Sequence, residues 1–468
     1  MAREITQEEI DAIDGMIERA RKAMDEIADW DQGQVDRLAQ AIGWHCGNEK
    51  TFLRIAQMGV DESGIGDRAG RGGKRFKVLG ILRDALRGKS VGVIEEDPEK
   101  GLTKIAKPAG VIASLIPTTN PELTPPVTGI YAAKCKDAVI FSPHPRAKET
   151  TNEMVNVMRH ACKLVGAPED LFQCVRKPSI PSTAYLMASA DLTLATGGKP
   201  MVKAAYSSGK PAYGVGAGNS TMVIDETADI AEAAANSRMS KMSDFGSGCS
   251  ADGNLIIVDA VYDQMKEALI AEGGYLCSPE EKELLAKALW NEDGSRKIET
   301  VAVDAKTIAH FAGFELPEGA KFLMVEQDEI GKEHPFSREK LSVTMALYRA
   351  KDFEATLPMV RAIYEVGGKG HSCGIYSFDE ERILRHAANA PVSRVMVRQP
   401  QSKANAGSFT NGMPMTSSLG CGIWGGNITN ENVSLKHYMN VTWVARPIPE
   451  DRPPDEELFG EFYNTEVL

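Results

Sequence analysis

Apolar residues recur at three- and four-residue spacing at the start of the chain. Ile10, Ile13, Ile17, Ala20 and Met24 form one stripe, and Val35, Leu38 and Ile42 a second, the period of amphipathic helices. The first helix either packs on a domain or docks a partner. From about residue 90 the period changes. VGVIEED, LTKIAKPAGVIASLIP, DAVIFSP, TLATG, NSTMVID and GNLIIVD are short apolar or β-branched runs. Turn residues and helical stretches such as AKETTNEMVNVMRHACKLVG and ETADIAEAAANSRMSKM lie between them. Strands alternating with helices of this length predict a parallel α/β architecture. The alternation resumes after Cys249 through FLMVE, VTMALYR and VSRVMVR. The pattern divides best near 235–250, into two α/β blocks, and no internal repeat is visible.

Charge narrows the classes. Among 468 residues, 53 Lys and Arg face 65 Asp and Glu, a net charge of −12 without any basic block. That is the opposite of a nucleic-acid footprint. No apolar run reaches the roughly 18 residues of a membrane span. The polar start MAREITQEEIDAIDG lacks the character of a secretory signal, so the expectation is a cytoplasmic protein. The eight cysteines include no CxxC pair. They read as reduced thiols and not as a disulfide or zinc scaffold. An isolated HxC pair, His371 and Cys373, is too sparse to predict a metal site.

Glycine clusters and one thiol carry the candidate chemistry. TGGKPMV (196–202) sits between a strand and a helix. There, free N–H groups and a positive helix end could meet a phosphate. GVGAGN (214–219) reads equally as a ligand contact or as a tight crossing of backbones. GIGDRAGRGGKR (64–75) lies among helices and reads as their connection. SPHPRAKE (142–149) places His144, Arg146 and Lys148 at the end of a strand. They would either be solvated or meet an adenosine ribose or phosphate. Cys249 differs from the other seven cysteines because DFGSGCSADG surrounds it with glycine. Glycine lets the backbone approach a substrate, and a thiol on such a turn is a candidate nucleophile. Asn120, in IPTTNP after the strand GVIASL, is either a turn former or an oxyanion donor.

Together these segments resemble the aldehyde dehydrogenase superfamily, and within it the CoA-acylating branch. The resemblance is carried by IPTTNP, FSPHPRAKETTNE, LATGGKPMVKAAYSSGKPAYGVGAGN, the Cys249 loop, EKLS (339–342), GGKGHSCGIY (367–376) and SLGCGIWGGN (418–427). It implies an α/β aldehyde dehydrogenase-like fold with two parallel α/β domains and a small β oligomerisation flap. These would be a cofactor-binding domain at 1–240, a catalytic thiol domain at 241–430, and the flap and tail at 431–468. It makes Cys249 the nucleophile and Asn120 the oxyanion donor. His371 would be either a residue near the active site or a structural histidine.

The resemblance further implies that NADP or NAD lies along Thr118, Thr119, His144, Gly198, Gly209 and Gly216, with Glu339 at a ribose and Leu419 beside the nicotinamide. CoA would be the co-substrate, and the assembly a homodimer or homotetramer, with a bacterial microcompartment as a possible setting. The stretch 210–220 holds no Asp or Glu, where hydrolytic members carry the acid that activates water. Arg398 and Lys403 would suit an anionic aldehyde, sulfoacetaldehyde first and succinate semialdehyde second, if their loop lines the substrate tunnel. Alternatives are an acylating acetaldehyde or propionaldehyde dehydrogenase and a non-redox thiol acyltransferase.

Overall fold

The computed structural model describes residues 3–466. Four helices lead the chain: Gln7–Glu26, Gln32–Gly47, Glu49–Ser63 and Arg75–Arg87. Their starts follow from capping chemistry. Thr6 with Glu9, and Asp31 with Gln34, form reciprocal capping boxes that satisfy otherwise orphaned N–H groups. Asn48 ends one helix and caps the next through Thr51 N. The first helix buries Ile13, Met16, Ala20 and Ala23 in the core, so its stripe is a packing face. The segment 64–75 connects two of these helices, as its position among them predicts.

Strands β1 (Gly92–Asp97) and β2 (Leu102–Pro108) form an antiparallel hairpin. Five parallel strands follow: β3 (Val111–Ile116), β4 (Ala138–Pro143), β5 (Phe172–Cys174), β6 (Leu192–Thr196) and β7 (Ala212–Val215), in the order β5-β4-β3-β6-β7. Each residue of β3 and β4 is buried, as expected for a sheet covered on both faces. The order reverses direction between β3 and β6. Such a switch point opens a crevice at the carboxyl ends of the strands.

The second sheet contains β8 (Thr221–Ile224), β9 (Asn254–Val258), β10 (Gly274–Leu276), β11 (Phe322–Glu326), β12 (Thr344–Ala350), β13 (Cys373–Tyr376) and β14 (Val395–Val397). All its pairings are parallel, in the order β10-β11-β12-β9-β8-β13-β14. Finally β15 (Met439–Ala445) returns to pair antiparallel with β2.

Two divisions differ from the expected ones. The chain passes from the first sheet to the second at 216–220, because β8 pairs with β9 and β13, and not near 235–250. Sheet membership is set by long-range pairing, which a four-residue apolar run does not encode. Met415, from within 241–430, and Val433, Leu435 and Tyr438, from within 431–468, return to the core of the first sheet, so neither span is a separate structural block. The small antiparallel sheet is likewise built from both ends of the chain, with β1 and β2 beside β15. The Pro108-Ala109-Gly110 break separates β2 from β3: proline removes a ladder donor, and Gly110 has φ +124°.

Candidate active site

The two sheets meet end to end. Asn120 follows the carboxyl end of β3, whereas Gly218, Cys249 and His371 precede the adjacent strands β8, β9 and β13. Cys249 contacts His371 and Gly218 directly, and Asn120 is joined to the Cys249 loop through Lys74 and Asp244.

Cys249 is partly exposed, and His371 Nε2 lies 2.9 Å from its Sγ. His371 is fully buried. Its Nδ1 is 2.9 Å from Ser372 Oγ, which accepts a hydrogen bond from Asn405 Nδ2 at 3.0 Å. Arg394 donates to the His371 carbonyl at 2.9 Å and to the Gly420 carbonyl at 2.5 Å. Burial, assisted by Arg394, lowers the His371 pKa to about 3. Burial, with Glu339 nearby, pushes the Cys249 thiol up to about 12. Both shifts disfavour an imidazolium–thiolate pair. The resting pair is therefore neutral, with thiol and imidazole in hydrogen-bond contact. Inactivation by iodoacetamide without cofactor is accordingly expected to accelerate roughly tenfold per pH unit from pH 7 to 9. A rate that is flat between pH 6 and 9 would indicate a preformed thiolate.

GVGAGN supplies the floor under the thiol. A Cβ on Gly218 would lie 1.8 Å from the Cys249 carbonyl oxygen. The backbones therefore cross at a separation that only glycine permits. Gly218 N–H donates to Glu339 Oε1 at 3.1 Å. Burial raises the Glu339 carboxyl to about 7, against the opposing pull of that N–H. Gly216 approaches Cys421 Sγ, and Leu419 is buried two residues before that thiol. Glu339, Gly218 and Cys249 thus stand in one column, with a carboxylate next to the loop of the thiol.

Asn120 is tied to the same loop from the other side. Lys74 Nζ donates to Asn120 Oδ1 at 2.7 Å, to the Thr119 carbonyl at 3.0 Å and to Asp244 Oδ2 at 2.6 Å. Asp244 Oδ2 also accepts from Ser247 Oγ at 2.8 Å. Burial alone would raise the Asp244 carboxyl, but Lys74 and Arg71 outweigh it and hold the group at about 2. Arg71 itself is buried against Glu122, at 2.9 Å. Asp244 and the following Phe245 have φ +50° and +51°. Such left-handed backbone is unusual for residues with side chains and is held here by the surrounding contacts.

A mostly apolar groove of about 450 Å³ lies at the carboxyl ends of β3 and β4, beside the helices Ile180–Ser189 and Lys199–Tyr206, lined by Ile116, Pro143, His144, Ile180, Met187 and Met201. At its edge Gly198 begins the helix Lys199–Tyr206 without a side-chain cap. An apolar slot for a base beside uncapped N–H groups for a diphosphate fits a dinucleotide. His144 Nδ1 accepts from Arg146 N at 3.1 Å. Burial and Arg146 lower its pKa, so it offers a neutral ring. Thr118 and Thr119 follow β3 at the same edge, and the Thr119 carbonyl is also taken by Arg71.

Three expected site residues are placed elsewhere. The Arg146 guanidinium donates to the Ser63 carbonyl at a helix end, because the orphan carbonyls of that terminus compete for it. Gly209 lies in a turn beyond the helix Lys199–Tyr206, at φ +79° with open space around it, a conformational requirement. Arg398 stacks on Phe378 at 4.0 Å from the ring centroid, drawn there by a cation–π contact and by its own positive φ. Lys403, in contrast, lines a cavity of about 200 Å³ with Asp67, Arg71, Lys74, Arg238 and Asp244.

Sequence reading did not single out Lys74, Asp244, Arg394, Ser372 or Asn405. The one available signal was the basic content of GRGGK (70–74), set aside because its place among helices argued for a simple connection. His371 and Cys373 do not act as a pair. The first contacts Cys249, while the Cys373 thiol lies 3.2 Å from His386 Nε2.

The profile of the aldehyde dehydrogenase family matches residues 2–307. The chain belongs to that family. A sulfoacetaldehyde dehydrogenase of an Acholeplasma species is 44% identical over 95% of this chain and 93% of its own length. The acylating sulfoacetaldehyde dehydrogenase of Bilophila wadsworthia is 40% identical over 96% of this chain and 97% of its own length. Among solved structures, an acetylating aldehyde dehydrogenase of Geobacillus thermoglucosidasius superposes with a TM-score of 0.92. It shares 34% identity and covers 96% of this chain and 99% of that one. This aldehyde dehydrogenase is an oxidoreductase of the acylating branch, with a nicotinamide dinucleotide as cofactor and CoA as acyl acceptor. None of its described helices is long and apolar enough to cross a membrane.

Proposed function

We propose that the enzyme converts sulfoacetaldehyde, CoA and NAD(P)⁺ to sulfoacetyl-CoA and NAD(P)H, reversibly, through a thioester on Cys249. Lys403 carries the substrate reading. Of the cations lining the 200 Å³ cavity, Arg71 faces Glu122, Lys74 faces Asp244 and Arg238 faces Glu272. Lys403 is the one whose side chain has no hydrogen bond or carboxylate partner among the described residues. Burial and the neighbouring Lys74 lower its pKa, with Asp244 opposing. A sulfonate would supply the missing counter-charge in a space suited to a two-carbon aldehyde. The names of the two sulfoacetaldehyde dehydrogenase relatives support the same choice. Succinate semialdehyde ranks second.

The chemistry follows from the chain's own groups. A nicotinamide bound beside Cys249 supplies the hydride acceptor. For His371 to act as base, Nδ1–H donates to Ser372 Oγ, leaving Nε2 bare toward the thiol. As Sγ attacks the aldehyde carbon, His371 Nε2 takes its proton. The oxyanion is held by Asn120 Nδ2 and the Cys249 N–H. After oxidation the acyl group remains as a thioester, and the CoA thiol displaces Cys249. Glu339 holds the nicotinamide ribose, and the groove at His144 takes the adenosine. The first sheet thus serves the cofactor and the second carries the thiol. The sheet of β1, β2 and β15 serves as the flap of a homodimer or homotetramer, in the cytoplasm or a microcompartment.

Replacing Lys403 by Met is expected to raise KM for sulfoacetaldehyde by about 10–100-fold, in line with the loss of one charged hydrogen bond. The kcat/KM for acetaldehyde should be unchanged. Assays with both aldehydes, CoA, and NAD or NADP decide the matter. Equal loss on the two aldehydes would remove Lys403 from anion recognition.

A further inference from the structure

An ammonium group has only hydrogens to offer, so the Asn120 atom 2.7 Å from Lys74 Nζ must be the amide oxygen. That contact fixes which way the amide faces. Its Nδ2 end is turned away from Lys74, with one weak contact at 3.3 Å to Thr119 Oγ1, leaving the second N–H uncommitted. Lys74 has no freedom to hold the amide differently. Its three protons meet three acceptors, the Thr119 carbonyl, Asn120 Oδ1 and Asp244 Oδ2. Two of these acceptors belong to the loop after β3 and the third to the loop that leads into Cys249. The Lys74 side chain is 16% exposed and that of Asp244 3%, so solvent screens the contact little.

We propose that Lys74 is a positioning residue for the oxyanion site, which orients the Asn120 amide and polarises it into a stronger donor. A cation on the amide oxygen draws electron density from nitrogen, so the free Nδ2–H gains acidity as charge develops on the substrate oxygen. Asp244 keeps the ammonium in place and also holds Ser247 at 2.8 Å, two residues before Cys249. One carboxylate thus sets the amide and the nucleophile loop in register. The inference rests on Asn120 being the oxyanion donor but not on the identity of the aldehyde.

A double-mutant cycle tests it with the full-length enzyme, acetaldehyde and sulfoacetaldehyde. Asn120→Ala should lower kcat by about 10²–10³, the usual effect of losing an oxyanion donor. Lys74→Met should lower it by roughly 10–100-fold on both aldehydes, because the donor is weakened and not deleted. Binding of NADH or NADPH, followed by fluorescence, should be unchanged. Lys74→Met added to Asn120→Ala should cost nothing further, since Lys74 acts only through the amide. The same factor lost in the Asn120→Ala background would overturn the proposal. So would a loss confined to sulfoacetaldehyde, which would make Lys74 a direct anion contact. Full kcat in Asn120→Ala would instead remove the oxyanion assignment itself. Lys74→Gln, neutral but able to donate, runs through the same cycle should Lys74→Met fold poorly, and full activity in that variant would also overturn the polarising role.

Discussion

Replacing Cys249 by Ala is expected to lower turnover by a factor on the order of 10⁴–10⁶, the scale seen when a covalent nucleophile is removed. No other thiol in the described structure can take over. Cys421 is buried and hydrogen-bonded toward the Leu419 carbonyl, while Cys373 faces His386. The fold should survive, because Cys249 is partly exposed and its removal opens no large core cavity. Retained NADH or NADPH binding, together with loss of the radiolabel or mass shift of the acyl-enzyme, separates loss of chemistry from loss of structure. Substantial activity in Cys249→Ala would move the reaction to a different group.

Withholding CoA is the second large effect. The first half-reaction needs only aldehyde and oxidised cofactor, so a rapid burst of about one reduced cofactor per active site is expected, followed by near arrest. The arrest follows from what stands around the thioester. The stretch 210–220 has no carboxylate, and its Gly218 is pressed against the Cys249 backbone. Glu339, the carboxylate that does face the loop, is engaged by Gly218 N–H. Without a placed base, water attack should run about 10²–10⁴ slower than the CoA reaction. Rapid-mixing absorbance of the reduced nicotinamide reads both phases. Steady carboxylate formation at the full rate without CoA would contradict acyl transfer to CoA.

The legible parts of the fold are those with dense local signals. The runs VIASLI and AVIFSP are fully buried strands, and the glycines around Cys249 announce a turn where backbone must come close. Three-residue strands such as β5 and β10 carry too few residues to show a period. The hairpin β1–β2 is largely exposed in β1, yet its apolar content resembles that of a parallel strand. The site is harder to read, because its supporting contacts join distant segments. Lys74 reaches Asp244 across 170 positions, and Asn405 reaches Ser372 across 33. A lysine in a helix connection shows nothing of this until the chain folds. Arg398 and Lys403 show the converse, since neighbours in sequence are sent to different surroundings by a single turn of backbone.

The small sheet made from both chain ends has a consequence during synthesis. Arg446 and its partner Thr103 on β2 are 343 residues apart. At about 5–20 residues per second, β2 waits roughly 20–70 s for β15 to emerge. Throughout that interval its outer ladder groups are open to any passing strand. The strand is LTKIAKP, with Lys104, Lys107 and Pro108 among Leu102, Thr103, Ile105 and Ala106. Charged residues and proline on an edge strand disfavour pairing with other chains. Strand β15 then closes that edge.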